Sequence, residues 1–356
     1  MARRPRGIPS LLPERMFILY YPPPAPLYLP PEPSVEQKQT RLLRKDANVF
    51  CGAALGFVAL SIFAVIILGV LSKIFYGTTA LDPRWEMGYY LFATLLLTGP
   101  PFLLAAWLMK IPASFCLPLG KPKGKVSIAL IFLGLGGCMA GDVLNIILYY
   151  LFGMVGMVPK DVDMPMANTW TEKIILLIGV SIFPGIVEEL IFRGLILQWL
   201  RRYGDGFAIL ISSLMFSLIH LNIAQIPFAL VVGLVLGIIA VKTGSLRLCT
   251  IIHMVNNALS LVAMWVADLG PILDLGETKE PLGVFFFPLL LIVLLVCGVG
   301  ALISLLIRRR GFFKLPPLRS ALGPGRCWGA FFTAPCTIIM VIIALISTAA
   351  SFDYFW

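Results

Sequence analysis

The chain has 356 residues, of which 59% are hydrophobic and 13% are charged, and its formal net charge is +10 at pH 7. This composition excludes an ordinary soluble domain and indicates a polytopic membrane protein. Because the positive charge is concentrated in the tails and in alternate loops, we attribute it to membrane topology and lipid-surface attraction, not to nucleic-acid binding. The seven cysteines are scattered and form no CxxC motif, so we expect small buried side chains and no disulfide framework.

Residues 1–46 form a basic, proline-rich tail that we expect on the cytoplasmic side. The prolines between Pro22 and Pro33 predict extended or disordered backbone, and a solvated leader explains them better than a PxxP ligand does. The tail contains no apolar core followed by a small-residue cleavage site, so we expect no cleavable signal peptide.

Hydropathy after the tail predicts an all-α fold, a polytopic membrane bundle of about eight or nine transmembrane helices. The predicted membrane domain covers residues 47–352, and residues 353–356 form a short C-terminal tail. Nine spans are predicted at about 48–72, 88–109, 126–155, 174–199, 206–222, 225–241, 248–266, 284–307 and 329–351.

The charges of the loops predict the orientation of these spans. The basic loops are 121–125, 201–202, 242–247 and 308–319, whereas 161–163 and 268–280 are acidic. A cytoplasmic N-terminus puts every basic loop in the cytoplasm. We therefore expect an integral protein of the cell membrane, with a cytoplasmic N-terminus and with Trp356 on the far side.

Ionisable side chains within a lipid-spanning helix are costly and by default mark a functional site. In the fourth span, Glu188, Glu189 and Arg193 interrupt an apolar run. Residues four apart share a helix face, so we expect Glu189 and Arg193 to form an ion pair. Glu188 points about 100° away and has no local cation, which makes it the candidate for chemistry.

Both histidines of the chain lie in predicted spans, which favours a site shared with the carboxylates. His220 follows Phe216 by four residues in the fifth span, and His253 precedes Asn257 by four in the seventh. Helical rise puts these groups and Glu188 toward the middle or the cytoplasmic half of the hydrocarbon region. The other strongly polar residues within spans are Asp142, Asn145 and Asn256.

One free glutamate, two histidines and an asparagine allow two kinds of chemistry. The glutamate can act as a general base on water with one histidine, while the other histidine and the amide donate to an oxyanion. Alternatively, Glu188, His220 and His253 can hold zinc with an open position. The motifs HExxH and GxSxG are absent. We expect no cofactor and do not favour zinc, because Asn257 is a better hydrogen-bond donor than zinc ligand.

Three motifs occur in the order Glu188-Glu189-xxx-Arg193, Phe216-xxx-His220 and His253-xxx-Asn257. Together they resemble the signature motifs of the CAAX protease and bacteriocin-processing family, the type II CAAX prenyl endopeptidase-like intramembrane proteases. The resemblance covers a motif-bearing core at about residues 170–266, and leaves out the first two spans, the tail and the ninth span.

This resemblance implies a helical membrane fold with a lipid-open cavity that faces the cytoplasm. It also implies roles for the motif residues. Glu188 and His220 would activate water, His253 and Asn257 would stabilise the oxyanion, and the remaining acid–arginine pair of the first motif would support the site.

The predicted function is that of an intramembrane endopeptidase acting on a membrane-associated peptide or protein, whether prenylated or not. Its partners are then this substrate and the lipid bilayer, without nucleic acid. One alternative is a non-catalytic member of the same fold that serves in peptide binding, immunity or scaffolding. Another is a proton-coupled transporter, because buried Glu and His also form proton relays. A transporter would show an internal repeat of broken spans, and we find none convincing in the sequence.

Overall fold

The computed structural model of the chain describes residues 33–78, 83–118, 120, 124–160, 167–267, 271–274, 279–316 and 320–354. The helices are α1 (Val35–Tyr76), α2 (Pro83–Ala93), α3 (Gly99–Leu108), α4 (Gly124–Gly153), α5 (Trp170–Leu176), α6 (Phe183–Glu189), α7 (Leu197–Leu200), α8 (Asp205–Leu218), α9 (Ile226–Thr243), α10 (Leu246–Ala267), α11 (Leu282–Arg308), α12 (Pro324–Phe332) and α13 (Pro335–Ala350). The strands are β1 (Met157–Pro159), β2 (Pro271–Asp274), β3 (Lys279–Pro281) and β4 (Phe352–Tyr354), and β1 pairs antiparallel with β4 as β2 does with β3. The predicted all-α membrane bundle is confirmed.

Several residues used in the sequence argument lie outside the described part of the chain. They are residues 1–32 of the predicted tail, Lys121, Lys123, Asp161, Asp163, Asp268, Glu277, Arg319 and Trp356. The structure shows helix α1 starting at Val35, where Ser34 and Gln37 form a capping box. Residues 35–46, which the sequence analysis placed in the tail, are therefore helical.

Seven helical stretches in the described residues are long and apolar enough to cross a membrane. They are Val35–Tyr76, Trp85–Leu108, Gly124–Gly153, Trp170–Tyr203, Ile226–Thr243, Leu246–Trp265 and Phe287–Arg308. An eighth span results if α12 and α13 count as one, although they meet at an angle of 73°. Pro335 explains this bend, because a proline cannot continue a helix from the preceding turn.

The predicted fifth span, 206–222, differs most from the structure. Helix α8 has only 14 residues there and ends at Leu218, and Leu221 has a positive φ of 55°. A left-handed residue cannot extend a right-handed helix, so the chain turns at this point. The short α8 and the longer α9 nevertheless pack closely along their lengths as a hairpin.

The stretch Trp170–Tyr203, which we call the Glu188 helix, contains α5, α6 and α7. Two π-helical turns, Leu177–Ile182 and Leu190–Ile196, lie on either side of α6. π-Helical turns are rare and occur often at functional sites. The two acidic residues of the first motif therefore stand in a short α-helical segment between two irregular turns.

Hydrogen bonds between loops show which helix ends lie together. At one end of the bundle, they join Gly120 to Gly244, Pro118 to Leu246, Lys242 to Lys314, and Gln39 to Ser320. We call this the basic end. At the other end, β1 pairs with β4, the Ile223 amide donates to Ser351 Oγ at 3.2 Å, and Asn145 Nδ2 donates to the Ala224 carbonyl at 2.7 Å. We call this the opposite end, and the α8–α9 hairpin runs from the basic end to it.

Helix α4 packs against α9 and α11 in the centre of the bundle. Gly136 and Gly298 bring α4 and α11 into close contact, because a Cβ on either glycine would lie 2.6 Å from the other's Cα. Small residues permit this close backbone approach between membrane helices.

A buried polar contact ties α1 to the end of the Glu188 helix at the basic end. Asp46 is 1% exposed, accepts a hydrogen bond from Tyr203 Oη at 2.8 Å and forms an ion pair with Arg202. The Arg202 guanidinium also lies 4.1 Å from the centre of the Trp199 ring. Asp46 thereby connects an N-terminal helix to the helix that carries the predicted site.

Replacing Asp46 with Asn should lower the stability of the protein, because Arg202 loses its buried carboxylate partner. We expect a loss of about 1.5–3 kcal/mol, the usual value for a hydrogen bond to a charged group. The matched control is Asp353→Asn, which removes an ion pair with Lys160 in which Asp353 is 61% exposed, and should cost at most about 1 kcal/mol. Thermal unfolding in detergent measures both, and equal shifts in Tm would contradict the importance of Asp46.

Candidate active site

A cavity of about 350 Å³ lies between the Glu188 helix, α8, α9 and α10. Its polar lining residues are Glu188, His220, Gln225, His253, Asn256, Asn257 and Ser260. The sequence analysis proposes four residues for chemistry, and all four line this one cavity. One comes from the Glu188 helix, one from the end of α8 and two from α10. Its walls are otherwise mostly apolar, with side chains such as Phe228, Val232 and Leu261.

Glu188 faces this cavity from the Glu188 helix. Val180, Pro184 and Glu188 are spaced four residues apart and all three line the cavity. The Glu188 side chain is 15% exposed, and its Oε2 lies 3.7 Å from Nε2 of His253. A carboxylate in this position has access to a water molecule in the cavity and to an imidazole beside it.

Glu189 points away from the cavity and is fully buried. Its Oε1 accepts a hydrogen bond from Arg193 Nη1 at 2.5 Å, and both side chains are 0% exposed. This is the ion pair that the spacing predicts. The same Oε1 also accepts from His253 Nδ1 at 2.9 Å, a contact that the sequence analysis missed because 64 residues separate the two positions.

His253 therefore lies between the two carboxylates. Because its Nδ1–H donates to Glu189, its Nε2 is the atom that faces Glu188 and the cavity. The His253 side chain is 5% exposed, so packing holds this orientation. A second group that fixes the orientation of a histidine is a frequent element of catalytic sites.

Phe216 packs against both histidines. Its ring meets His220 edge-on at 5.2 Å and His253 at 5.8 Å between centroids. The Arg193 guanidinium lies 4.4 Å from the centre of the same ring, which is a cation–π distance. The aromatic residue of the second motif thus contacts the arginine of the first motif and the histidines of the second and third.

His220 lies just after the last turn of α8. Its Nδ1 is 2.9 Å from the Phe216 carbonyl, which can only accept, so Nδ1 carries the proton. The other ring nitrogen, Nε2, is then free to accept a proton or a hydrogen bond. His220 is one of the residues that line the cavity.

The Asn257 amide bridges α10 to the first π-helical turn of the Glu188 helix. Its Nδ2 donates to the Val180 carbonyl at 3.0 Å, and its Oδ1 accepts from Asn256 Nδ2 at 3.3 Å. Ser181 Oγ adds a hydrogen bond of 2.7 Å to the Met254 carbonyl. One hydrogen of the Asn257 amide is thus used for structure, and the second remains for the cavity.

The other polar residues of the predicted spans have different positions. Asn256 is 3% exposed and lines the cavity, where it orients Asn257. Asn145 donates to Ala224 at the opposite end and does not line this cavity, and neither does Asp142. Gln225 and Ser260 also line it, and the sequence analysis did not single them out, since a polar residue at a span end or a helix serine carries little signal.

Within the described residues, no group of three His, Cys, Asp or Glu side chains is placed to hold a metal ion. The candidate cluster of Glu188, His220 and His253 lines the cavity, and the Phe216 ring packs edge-on against both imidazoles.

The cavity lies in the half of the bundle toward the opposite end. Along α9, Val232 and Ala229 are each 2% exposed, whereas Phe228 and Gln225 are half-buried. Along α10, His253 is buried and Ser260 is exposed. The lining on these two helices therefore lies in the half of the bundle that includes the turn between α8 and α9, where the Ile223 amide donates to Ser351 Oγ.

The position of the cavity bears on two expectations from the sequence. One places the basic loops in the cytoplasm, and the other, implied by the family resemblance, makes the cavity face the cytoplasm. In the structure the basic loops lie at the basic end and the cavity lies in the other half of the bundle, and both expectations stay predictions.

The fold and the cavity define an integral membrane protein with an acid–histidine site within its helical bundle. Residues 170–259 match the family model described as type II CAAX prenyl endopeptidase Rce1-like, and the match includes all three motifs. The chain therefore carries a domain of this family of peptidases, which confirms the resemblance seen in the sequence. The comparisons with curated proteins and with solved structures gave no match.

Arg193→Ala should strongly reduce the yield of folded protein. It leaves the Glu189 carboxylate buried beside His253 without its cation, a change that costs about 3–5 kcal/mol for a buried ion pair. The control is Glu188→Gln, which keeps the shape of a side chain that faces the cavity. We expect the control to be folded in normal amounts, as judged by the monodisperse fraction in size-exclusion chromatography. Equal yields for Arg193→Ala and the unmodified chain would contradict a supporting role for the pair.

Proposed function

We propose that this protein is an intramembrane endopeptidase that hydrolyses a peptide bond in a membrane-associated peptide or protein. The observation that carries the proposal is the position of Glu188 in a cavity lined by both histidines and Asn257, in a chain with an Rce1-like domain. A carboxylate and an imidazole at hydrogen-bond reach of one water are the groups that general-base hydrolysis needs.

In the proposed reaction, Glu188 removes a proton from a water molecule whose oxygen attacks the peptide carbonyl carbon. His220 accepts a hydrogen bond from the same water through its free Nε2. The carbonyl oxygen becomes an oxyanion, the C–N bond breaks, and the leaving nitrogen takes the proton from Glu188. No covalent intermediate with the protein is formed.

The oxyanion requires donors that are already in position. His253 supplies one when Nε2 carries a proton, and Asn257 supplies another through its second amide hydrogen. Because Nδ1 of His253 also donates to Glu189, the ring is then an imidazolium. Its charge is balanced, since Glu188 and Glu189 are two anions and Arg193 and His253 two cations.

The same balance favours the charged intermediate. Once Glu188 has taken the proton from water, the four side chains carry one net positive charge. The oxyanion carries one negative charge beside it. In a cavity with apolar walls, this compensation is worth more than it would be in water.

The substrate is a membrane-associated segment because the cavity lies within a bundle of membrane-spanning helices. Its apolar lining suits hydrophobic side chains or a lipid group next to the cleaved bond. We also propose that the protein resides in the cell membrane with a cytoplasmic N-terminus, on the basis of its loop charges.

Purified protein should cleave membrane-inserted peptides, and Glu188→Gln should lower the rate by about 10²–10⁴-fold, the contribution of a general base. The probe is a mixture of internally quenched peptides in liposomes, half of them farnesylated. The matched control is Glu172→Gln, which changes a glutamate in the first turn of the same helix, outside the cavity. Peptide binding without cleavage by the unmodified chain would favour a non-catalytic role instead.

Treatment of the active protein with a zinc chelator should leave the rate unchanged. The reason is that Asn257, a poor metal ligand, shares the site, and that no three His, Cys, Asp or Glu side chains of the described residues are placed to hold a metal ion. Measurement of metal content before and after chelation provides the control. Stoichiometric zinc that is lost together with activity would contradict the metal-free mechanism.

A further inference from the structure

A second cavity, of about 290 Å³, lies between α4, α9 and α11. We call it the lateral groove. Every residue that lines it is apolar or glycine, from Leu133 and Ala140 of α4 to Leu302 of α11. None of the described residues lines both this groove and the candidate active site. The lateral groove is therefore a separate feature of the bundle.

The lateral groove faces the hydrocarbon of the membrane. Its three helices each belong to a stretch that is long and apolar enough to cross a membrane. Among its lining residues, Ala140 is exposed and Val299 is 48% exposed, so the groove is open along its side. Lipid chains are the neighbours of such a surface, and an apolar chain suits its lining.

Helix α9 places a lysine at the basic end of the groove. Val235 and Ile238 line the groove, and Lys242 follows them by seven and four residues, on the same face of the helix. The Lys242 ammonium donates to the Lys314 carbonyl, next to the groove-lining Phe313. An ammonium has three hydrogens, so two of them remain for another acceptor.

Helix α11 places an arginine at the same end. Leu295 and Leu302 line the groove, and Arg309 follows Leu302 by the same seven residues. The Arg309 amide donates to the Leu305 carbonyl at 2.9 Å, so the helical register continues to this position. The membrane-spanning stretch of α11 ends at Arg308. Arg309 is therefore close to the boundary between membrane and water.

The cations at this end of the groove have no acidic partner within the part of the chain that the structure describes. Neither Lys242, Arg309 nor Lys314 takes part in an ion pair there, and Arg308 and Arg310 are also exposed. Lysine and arginine form strong, charge-assisted hydrogen bonds with phosphate oxygens. Basic sites between membrane helices are suited to the headgroups of anionic lipids.

We propose that the lateral groove binds one anionic phospholipid in the leaflet at the basic end. An acyl chain lies between α9 and α11, and the phosphate contacts Lys242 and Arg309. A groove that is apolar along its length and cationic at one end complements a lipid of this kind. A zwitterionic headgroup fits less well, because it brings its own cation beside two others. This proposal does not depend on the peptidase function.

Native mass spectrometry of the full-length chain in detergent tests the headgroup. The probes are phosphatidylglycerol and phosphatidylcholine with the same acyl chains, and we expect tighter binding of phosphatidylglycerol. Lys242→Gln combined with Arg309→Gln should weaken that binding about tenfold or more, since each cation near a lipid surface contributes about 1 kcal/mol. The matched control combines Arg41→Gln with Arg44→Gln, two exposed arginines of α1, which does not line the groove. We expect it to bind as the unmodified chain does.

A second pair of variants tests the groove itself. Val299→Phe fills it with a larger side chain and should weaken phosphatidylglycerol binding about tenfold. The control is Val293→Phe, because Val293 is also 48% exposed on α11 but does not line the groove. Size-exclusion chromatography shows whether each variant is folded, and the glutamine variants, which change surface side chains, decide the question if Val299→Phe is not.

Four results would overturn the proposal. Equal affinities for the two lipids would exclude recognition of an anionic headgroup. Equal losses in the two double glutamine variants would indicate diffuse attraction to the basic end. Unchanged binding by folded Val299→Phe would place the acyl chain elsewhere. Inorganic phosphate that raises the Tm of the protein as much as phosphatidylglycerol does would assign the cations to a free anion.

Discussion

The candidate site depends on one buried carboxylate, that of Glu189, which binds Arg193 and His253 through the same oxygen. A single unpaired charge buried in the bundle would lower the free energy of unfolding by several kcal/mol. Each of the three linked side chains, however, has an opposite charge or a hydrogen-bond partner beside it. Arg193 belongs to the same helix as Glu189, so their pairing needs no tertiary structure. The pair then offers α10 a fixed acceptor, and His253 presents its Nε2 to the cavity as a result.

The irregular geometry of the Glu188 helix is the second constraint. π-Helical turns on both sides of α6 add residues to the helix and rotate the side chains beyond each turn about its axis. The first turn exposes backbone and side-chain groups that α10 uses, since Asn257 donates to Val180 and Ser181 donates to Met254. The asparagine that the proposed mechanism uses as a donor is therefore positioned by the helix that carries the proposed base. A substitution in the Glu188 helix or in α10 is therefore expected to shift both Glu188 and Asn257.

Sequence reasoning succeeded where the determining interactions are local. Hydropathy gave the membrane class and most of the span positions, and the four-residue spacing gave the contact of Glu189 with Arg193. Sequence reasoning failed where contacts between residues that are far apart in the sequence determine the structure. The contact of Glu189 with His253 joins residues 64 positions apart, and no periodic pattern encodes it. The short α8 and the bend before α13 depend on local backbone turns at Leu221 and Pro335, which averaging of hydropathy over a window conceals.

Elements outside the Rce1-like segment hold both ends of the site. At the basic end, Asp46 of α1 binds Arg202 and Tyr203 at the end of the Glu188 helix. At the opposite end, Asn145 of α4 and Ser351 after α13 bind the turn between α8 and α9, only a few residues from His220. These contacts satisfy polar groups that would otherwise face lipid or an apolar core. Helices α1, α4 and α13 are therefore part of the same folding unit as the motifs, and their contacts with the α8–α9 turn hold a segment next to the cavity-lining His220 and Gln225.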